Sequence, residues 1–309
     1  MKDRILIVIT GPTATGKTAL GAHLARELDG EVVSADSMQI YQYMDIGTAK
    51  PSPEETLGVP HHMIDIVKPW EDYSAARYVR EAAACIDEIF RQGRCPVLVG
   101  GSGLYIDSLL SGRDFAVRGD PVLRSELEKE YDETGGEEML RKLNGFDPES
   151  AAKLNTNDKK RIVRAFEVYK TAGKTISSHD AETKLIPERY NTLKFALTFE
   201  DRSVLYSKIN KRVDTMLANG LESEVRNLLD MGVAHESTAM QAIGYKEITG
   251  VFKGDFDINT AVDKIKMESR RYAKRQLTWL RRDKNTKWIT WTTGPDINTG
   301  LSIIKERLK

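Results

Sequence analysis

The chain has 309 residues, with 46 Lys and Arg against 46 Asp and Glu, so its formal net charge is zero, and 40% of it is apolar. That composition suits one large globular domain or two modest ones, and the longest clean apolar run, Ile5 to Ile9, is too short for a membrane span. Cys85 and Cys95 make no disulfide framework, no Cys/His pair has zinc spacing, and no cleavage site follows the first residues, so a reducing cytoplasm is expected.

Lys2 to Thr10 reads as a buried strand, and Ala19, Leu20, Leu24 and Leu28 then recur at helical spacing until Gly30. Glu31 to Ala35 is a second short strand, closed by Asp36. Ser74 caps a helix whose apolar stripe runs from Ala75 through Val79, Ala82, Ala83, Ile86 and Ile89 to Phe90. Pro96 to Val99 is a third strand, and Gly101-Ser102-Gly103 leads into a further helix. This alternation predicts an α/β fold: a P-loop-type parallel sheet flanked by helices. Around Arg113 the texture changes. Asp120-Pro121 and Asp147-Pro148 are helix starts, and no strand is visible before Leu193. Residues 114–192 are therefore expected to form an all-helical insertion in a core domain made of 1–113 and 193–309. Thr192 to Phe199 reads as a returning strand, and Asp201 caps a helix carrying Leu205, Ile209, Val213 and Leu217. Helices through Leu229, from Met240 to Ile248 and on to about Arg282 precede a last strand, Lys287 to Trp291.

The strongest local signal is Gly11-Pro12-Thr13-Ala14-Thr15-Gly16-Lys17-Thr18, a G-x-x-x-x-G-K-T loop between strand and helix. Its backbone N–H groups and the helix N-terminus favour phosphate oxygens, Lys17 adds a full charge, and the Thr18 hydroxyl can ligate Mg²⁺. A diphosphate or polyphosphate ligand follows, but not its fate. The third strand ends in glycines where a nucleotide hydrolase usually places an Mg²⁺-holding Asp. Asp36 instead ends the second strand, at the sheet edge where the loop lies. Two readings of Asp36 stand: a general base beside the reacting end of the phosphates, or a cap on the following turn. Ser102 in the second glycine turn can hydrogen-bond an acceptor. Adjacent side chains on an extended chain face opposite ways, so His61 and His62 are read as structural rather than as one metal site.

These residues resemble the tRNA dimethylallyltransferases, also called isopentenyl-diphosphate:tRNA transferases. The resemblance rests on the phosphate loop and on Ser34-Ala35-Asp36-Ser37-Met38-Gln39-Ile40-Tyr41. It continues through Asp45-Ile46-Gly47-Thr48-Ala49-Lys50-Pro51, His61-His62-Met63-Ile64-Asp65 and Val99 to Tyr105. Ala242-Ile243-Gly244-Tyr245-Lys246-Glu247 and Ala273-Lys274-Arg275-Gln276-Leu277-Thr278-Trp279 complete the ordered set. Ser102 stands where the family usually has Thr, and the zinc-finger extension of eukaryotic members is not seen, so the bacterial form is expected.

The resemblance implies transfer of a dimethylallyl group from dimethylallyl diphosphate to N6 of the adenosine immediately 3′ of a tRNA anticodon, with Mg²⁺ as cofactor. It casts Asp36 as the base and Lys17, Ser102 and Arg212 as further catalytic residues, although Arg212 also reads as an exposed residue of its helix. Residues 11–18 would hold the diphosphate, or ATP. Asp36, Ser37, Met38 and Gln39 would face the anticodon stem-loop, as would Arg124, Lys160, Arg161, Arg164, Gln241, Gly244, Tyr245 and Lys246. Lys274, Arg275, Gln276, Trp279 and Arg281 complete that set. Nine Lys and Arg between Lys264 and Lys284, against Glu268 and Asp283, suit phosphate contact, and Trp279 suits base stacking. With Lys159 to Arg164 they suggest RNA gripped by two domains of a cytoplasmic monomer with no membrane association. A small-molecule kinase, a prenyltransferase for free adenine nucleotides and a nucleotide-switched RNA-binding protein are the competing readings.

Overall fold

The computed structural model describes residues 4–112, 119–183 and 186–308. Six strands form one all-parallel sheet: β1 (Ile5–Thr10), β2 (Gly30–Ala35), β3 (His61–His62), β4 (Cys95–Gly100), β5 (Asn191–Phe199) and β6 (Lys287–Trp291), in spatial order β3-β2-β4-β1-β5-β6. The central strands are apolar on both faces because helices cover both. Leu6 and Val8 of β1 enter one core with Val33 and Leu98, whereas Ile7 and Ile9 enter another with Val97 and Phe195. Each such fully buried side chain stabilises the fold by about 1.5–3 kcal/mol.

The helices of this part are α1 (Lys17–Glu27), α2 (Ala75–Arg91) and α3 (Gly103–Leu110) before the insertion. After it come α9 (Arg202–Ala218), α10 (Leu221–Asp230), α11 (Tyr245–Lys253), α12 (Ile258–Leu280) and α13 (Ile297–Glu306). The expected caps form: the Ser74 side chain accepts from Arg77 N–H and Asp201 from Ser203 N–H. The short edge strand β3 and helix α13 are additional to the elements expected from sequence. A two-residue strand is below the reach of alternation. Helix α11 starts at Tyr245, not Met240, because Gly244 at φ 99° breaks the helix before it.

The chain divides into two compact units, Met1–Leu110 with Tyr190–Lys309, and Ser111–Arg189. The expected boundary at 113/114 lies outside the described residues. The second unit is helical: α4 (Pro121–Thr134), α5 (Gly136–Asn144), α6 (Pro148–Ala151), α7 (Lys159–Ala172) and α8 (Ile176–Thr183). They surround their own core of Leu127, Met139, Leu143, Ile162, Val163 and Phe166. Asp120 and Asp147 cap α4 and α6 with proline in the first turn. Among the described residues no helix is long and apolar enough to cross a membrane.

Candidate active site

Strand β1 lies between β4 and β5, where the strand order reverses, and the loop leaving such a strand opens onto a crevice at the sheet's carboxyl edge. Loop 11–18 leaves β1 there, with Gly16 in the left-handed region before α1. Gly11 passes so close to β5 that a Cβ on it would sit 2.6 Å from the Leu197 carbonyl oxygen, so only glycine allows this path. A cavity of about 590 Å³ opens beyond the loop, lined by Thr13 to Thr18 together with Asp36, Arg212, Lys246 and Arg275. A volume in that range is typical of small-molecule sites.

Lys17 is held down to a pKa of about 7, first by desolvation, then by the Arg212 charge, with Asp36 pulling the other way. Its ammonium reaches the Pro12 carbonyl at 2.6 Å. Arg212 on α9 is likewise pushed down by burial, opposed by Asp36 and Glu55, and its Nε is buried with no partner among the described residues. The exposed-arginine reading of Arg212 is thus set aside. Two poorly solvated cations beside one carboxylate make a site suited to an anion.

For Asp36 the turn-cap geometry is present, and it leaves part of the carboxylate facing the cavity. Its Oδ1 accepts from the N–H groups of Met38 (2.9 Å) and Gln39 (3.3 Å), which caps the turn. Oδ2 takes no hydrogen bond among the described residues, and the side chain lines the cavity. Ser102 is turned toward this turn: Oγ accepts from Ser37 N–H (2.9 Å) and donates to Ser37 Oγ (3.1 Å). Its hydroxyl therefore braces the Asp36 turn.

Gln276 is buried on α12 and bridges the two glycine loops, accepting from Thr13 N–H (3.2 Å) and donating to the Gly101 carbonyl (2.9 Å). Tyr272, one turn earlier, lines the cavity, and its phenol is pushed up to about 12, chiefly by burial. Apolar side chains also line the cavity: Ile209, Val213 and Met216 of α9, which likewise contributes Arg212, with Ile243 and Ile265. Sequence reasoning counted Ile209 and Val213 as ordinary helix stripe. A cavity-lining stripe and a core stripe have the same period. It also missed Tyr272, Lys50 and Glu55 as lining residues.

Several residues expected to face RNA are placed elsewhere. Gly244 and Tyr245 are buried, and the Tyr245 hydroxyl donates to Glu224, so that expectation is corrected for both. Gln276 is also buried inside its unit. Trp279 is half-buried; its indole N–H donates to Asp107 (2.6 Å), and a Cβ on Gly103 would sit 2.7 Å from the ring. Ser37, Met38 and Gln39 are half-buried on the cavity wall, and Gln241 and Lys246 are exposed at it. The basic run divides. Lys266 pairs with Asp214, Arg270 donates to Asn210 and Arg271 pairs with Glu268, whereas Lys274, Arg275 and Arg281 are exposed. In the second unit Arg124 and Arg164 both converge on the buried Glu167 carboxylate, which holds that carboxyl below its usual range despite its burial. Lys160 and Arg161 are exposed there.

The histidines separate as extended geometry requires. His61 lines the cavity, while His62 pairs with Glu31, which also pairs with Arg94. Among the described residues no group of three His, Cys, Asp or Glu could hold a metal ion.

Two family models match the chain: IPP transferase over residues 39–283 and isopentenyl transferase over residues 4–68. The chain is 49% identical to the tRNA dimethylallyltransferase of Carboxydothermus hydrogenoformans over 92% of its own length and 91% of that protein's. The crystal structure of the tRNA isopentenylpyrophosphate transferase from Bacillus halodurans superimposes with a TM-score of 0.74 at 40% identity, covering 99% of this chain and 97% of that one. A eukaryotic dimethylallyltransferase described as acting on tRNA superimposes with a TM-score of 0.82 at 28% identity, covering 99% and 77%.

Proposed function

This chain belongs to the IPP transferase family, and from that premise we propose that it moves a dimethylallyl group from dimethylallyl diphosphate to N6 of the tRNA adenosine 3′ of the anticodon. The observation that carries the reading is one cavity lined by the cations Lys17 and Arg212, the acidic Asp36 and the apolar Ile209, Val213, Met216, Ile243 and Ile265. A kinase needs the first two; the apolar lining suits a hydrocarbon tail. The relatives' names specify tRNA as the acceptor.

In the proposed reaction the N6 lone pair forms a bond to the first carbon of the tail. The carbon–oxygen bond breaks, and its electrons leave with diphosphate. The N6 proton passes to Asp36 Oδ2, since Oδ1 is already engaged. Loop N–H groups, Lys17 and Arg212 face the charge that grows on the leaving oxygen, so they favour the transition state over the ground state. Thr18 lines the same cavity, and Mg²⁺ would be held there by its hydroxyl together with diphosphate oxygens and water. When bound it would supply further neutralisation of the leaving group. The adenine must leave its stack to reach this cavity. A cytoplasmic enzyme, active as a monomer, is part of the same proposal.

Incubation with unmodified tRNA and labelled dimethylallyl diphosphate tests the reading: label is expected in N6 of one adenosine beside the anticodon. Label that stays out of RNA, with ATP consumed on a small acceptor, would replace it with a kinase. On the RNA side, the contacts proposed are Lys274, Arg275 and Arg281 of α12 and Lys160 and Arg161 of the second unit, all exposed. Reversing Lys274 and Arg275 to glutamate is expected to raise KM for tRNA and to reduce the salt slope of binding by about 1 for each phosphate that is no longer neutralised. A slope that does not change would remove α12 from the RNA surface.

A further inference from the structure

We infer that Glu224 is a positioning residue for the transfer reaction, acting on Asp36 through the hook of residues 44–50. Glu224 belongs to α10 and does not line the cavity. The residue is 9% exposed, and a buried carboxylate persists only where it is fully hydrogen-bonded. Four donors supply that here. Oε2 accepts from the backbone N–H groups of Asp45 (2.8 Å) and Ile46 (2.7 Å), and Oε1 from Gly47 N–H (3.0 Å) and the Tyr245 hydroxyl (2.6 Å). Three successive N–H groups turned to one anion form a nest, and in this chain an internal carboxylate fills it.

The hook has little freedom once it is seated. A Cβ on Gly47 would lie 2.5 Å from the Tyr245 ring, so the backbone rests directly on that side chain. Thr48 Oγ1 donates to the Met44 carbonyl (2.5 Å). The almost buried Lys50 ammonium donates to the Tyr41 carbonyl (2.7 Å) and to Asp45 (2.6 Å), and also pairs with Asp65.

What the hook carries is the reacting carboxylate's turn. Gln39 Nε2 donates to the carbonyls of Thr48 (3.3 Å) and Ala49 (3.2 Å), and Gln39 Oε1 accepts from Ser34 Oγ (3.3 Å). The Gln39 backbone N–H is one of the two that hold Asp36 Oδ1. A continuous set of hydrogen bonds therefore runs from Glu224 through residues 45–49 and Gln39 to Asp36, and Gly47 to Pro51 also form part of the cavity wall.

The inference rests on the dimethylallyl-transfer reading. Its test is Glu224→Gln in the full chain, which puts an amide N–H₂ against N–H donors. Single-turnover transfer to unmodified tRNA is expected to slow by about 10–100-fold, the cost of a small misplacement remote from the chemistry. KM for tRNA and for dimethylallyl diphosphate should stay close to that of the unaltered protein, and circular dichroism should report a folded protein at the assay temperature. Tyr245→Phe removes one hydrogen bond without adding a clash. Its smaller loss of rate serves the same purpose should the first variant fail to fold. Combining either variant with Gln39→Ala is expected to cost less than the product of the single effects, because they act in series. Full transfer rate in the folded variants, or effects that multiply with that of Gln39→Ala, would overturn the inference. Absence of transfer by the unaltered protein would remove the functional reading on which it stands.

Discussion

Asp36→Ala is expected to leave tRNA binding in place while slowing dimethylallyl transfer by at least about a hundredfold, the usual contribution of a positioned base. The exocyclic amine of adenine is a poor nucleophile because its lone pair is delocalised into the ring. It becomes acidic only as the new carbon–nitrogen bond forms, so a base matters most in the transition state. Asp36 is suited to this by its division of labour: Oδ1 is tied by two backbone N–H groups and Oδ2 is open. The experiment is a single-turnover transfer assay beside a tRNA binding titration. Turnover within a few-fold of the unaltered protein would remove the base assignment. Asp36→Asn sharpens the result, since an amide oxygen can still accept at the turn but cannot take a proton. It should retain the fold and be as inactive as the alanine variant.

The second large effect concerns Lys17. With its amine held at about 7, a substantial share is neutral at physiological pH. An incoming diphosphate favours the ammonium, so binding should take up a proton. Affinity for dimethylallyl diphosphate should then fall as pH rises above 7, by up to about tenfold per unit for one linked proton. Calorimetry in buffers of different ionisation enthalpy measures that uptake directly. Lys17→Met should lower affinity by about 2–5 kcal/mol, the range for losing one partner of a buried charged pair, and should abolish the lysine-linked uptake. Proton uptake that survives in Lys17→Met would move the linkage to another group. The sign for stability is separate. Between about 7 and the ordinary lysine value of 10.5 the unfolded chain binds the proton that the folded chain releases, so this lysine's contribution to stability rises with pH through that window.

These two residues also mark how far local pattern reaches. Lys17 is legible because the phosphate loop is a contiguous motif whose function is built into its own backbone, and Asp36 because it ends a strand at a predictable edge of the sheet. The parallel sheet itself follows from short apolar runs alternating with amphipathic helices, and the helix starts at Ser74, Asp120 and Asp201 follow from cap residues that act within one turn. In each case the physical cause and its effect lie within a few positions of one another.

Arg212, Glu224, Tyr245 and Gln276 are different. Each sits on a helix whose periodicity says that a face is buried, without saying against what. The Glu224 carboxylate meets Asp45 across 179 positions, and Gln276 meets Thr13 across 263. Whether Tyr245 reaches RNA or a carboxylate, and whether Arg212 meets water or a cavity, depends on how the helices pack over the sheet. Sequence alone determined the fold class, the phosphate loop and the strand-end position of Asp36, because their physics is local. Packing alone decided which cations surround that carboxylate and which buried groups brace its turn, because desolvation and long-range hydrogen bonds exist only once the elements have come together.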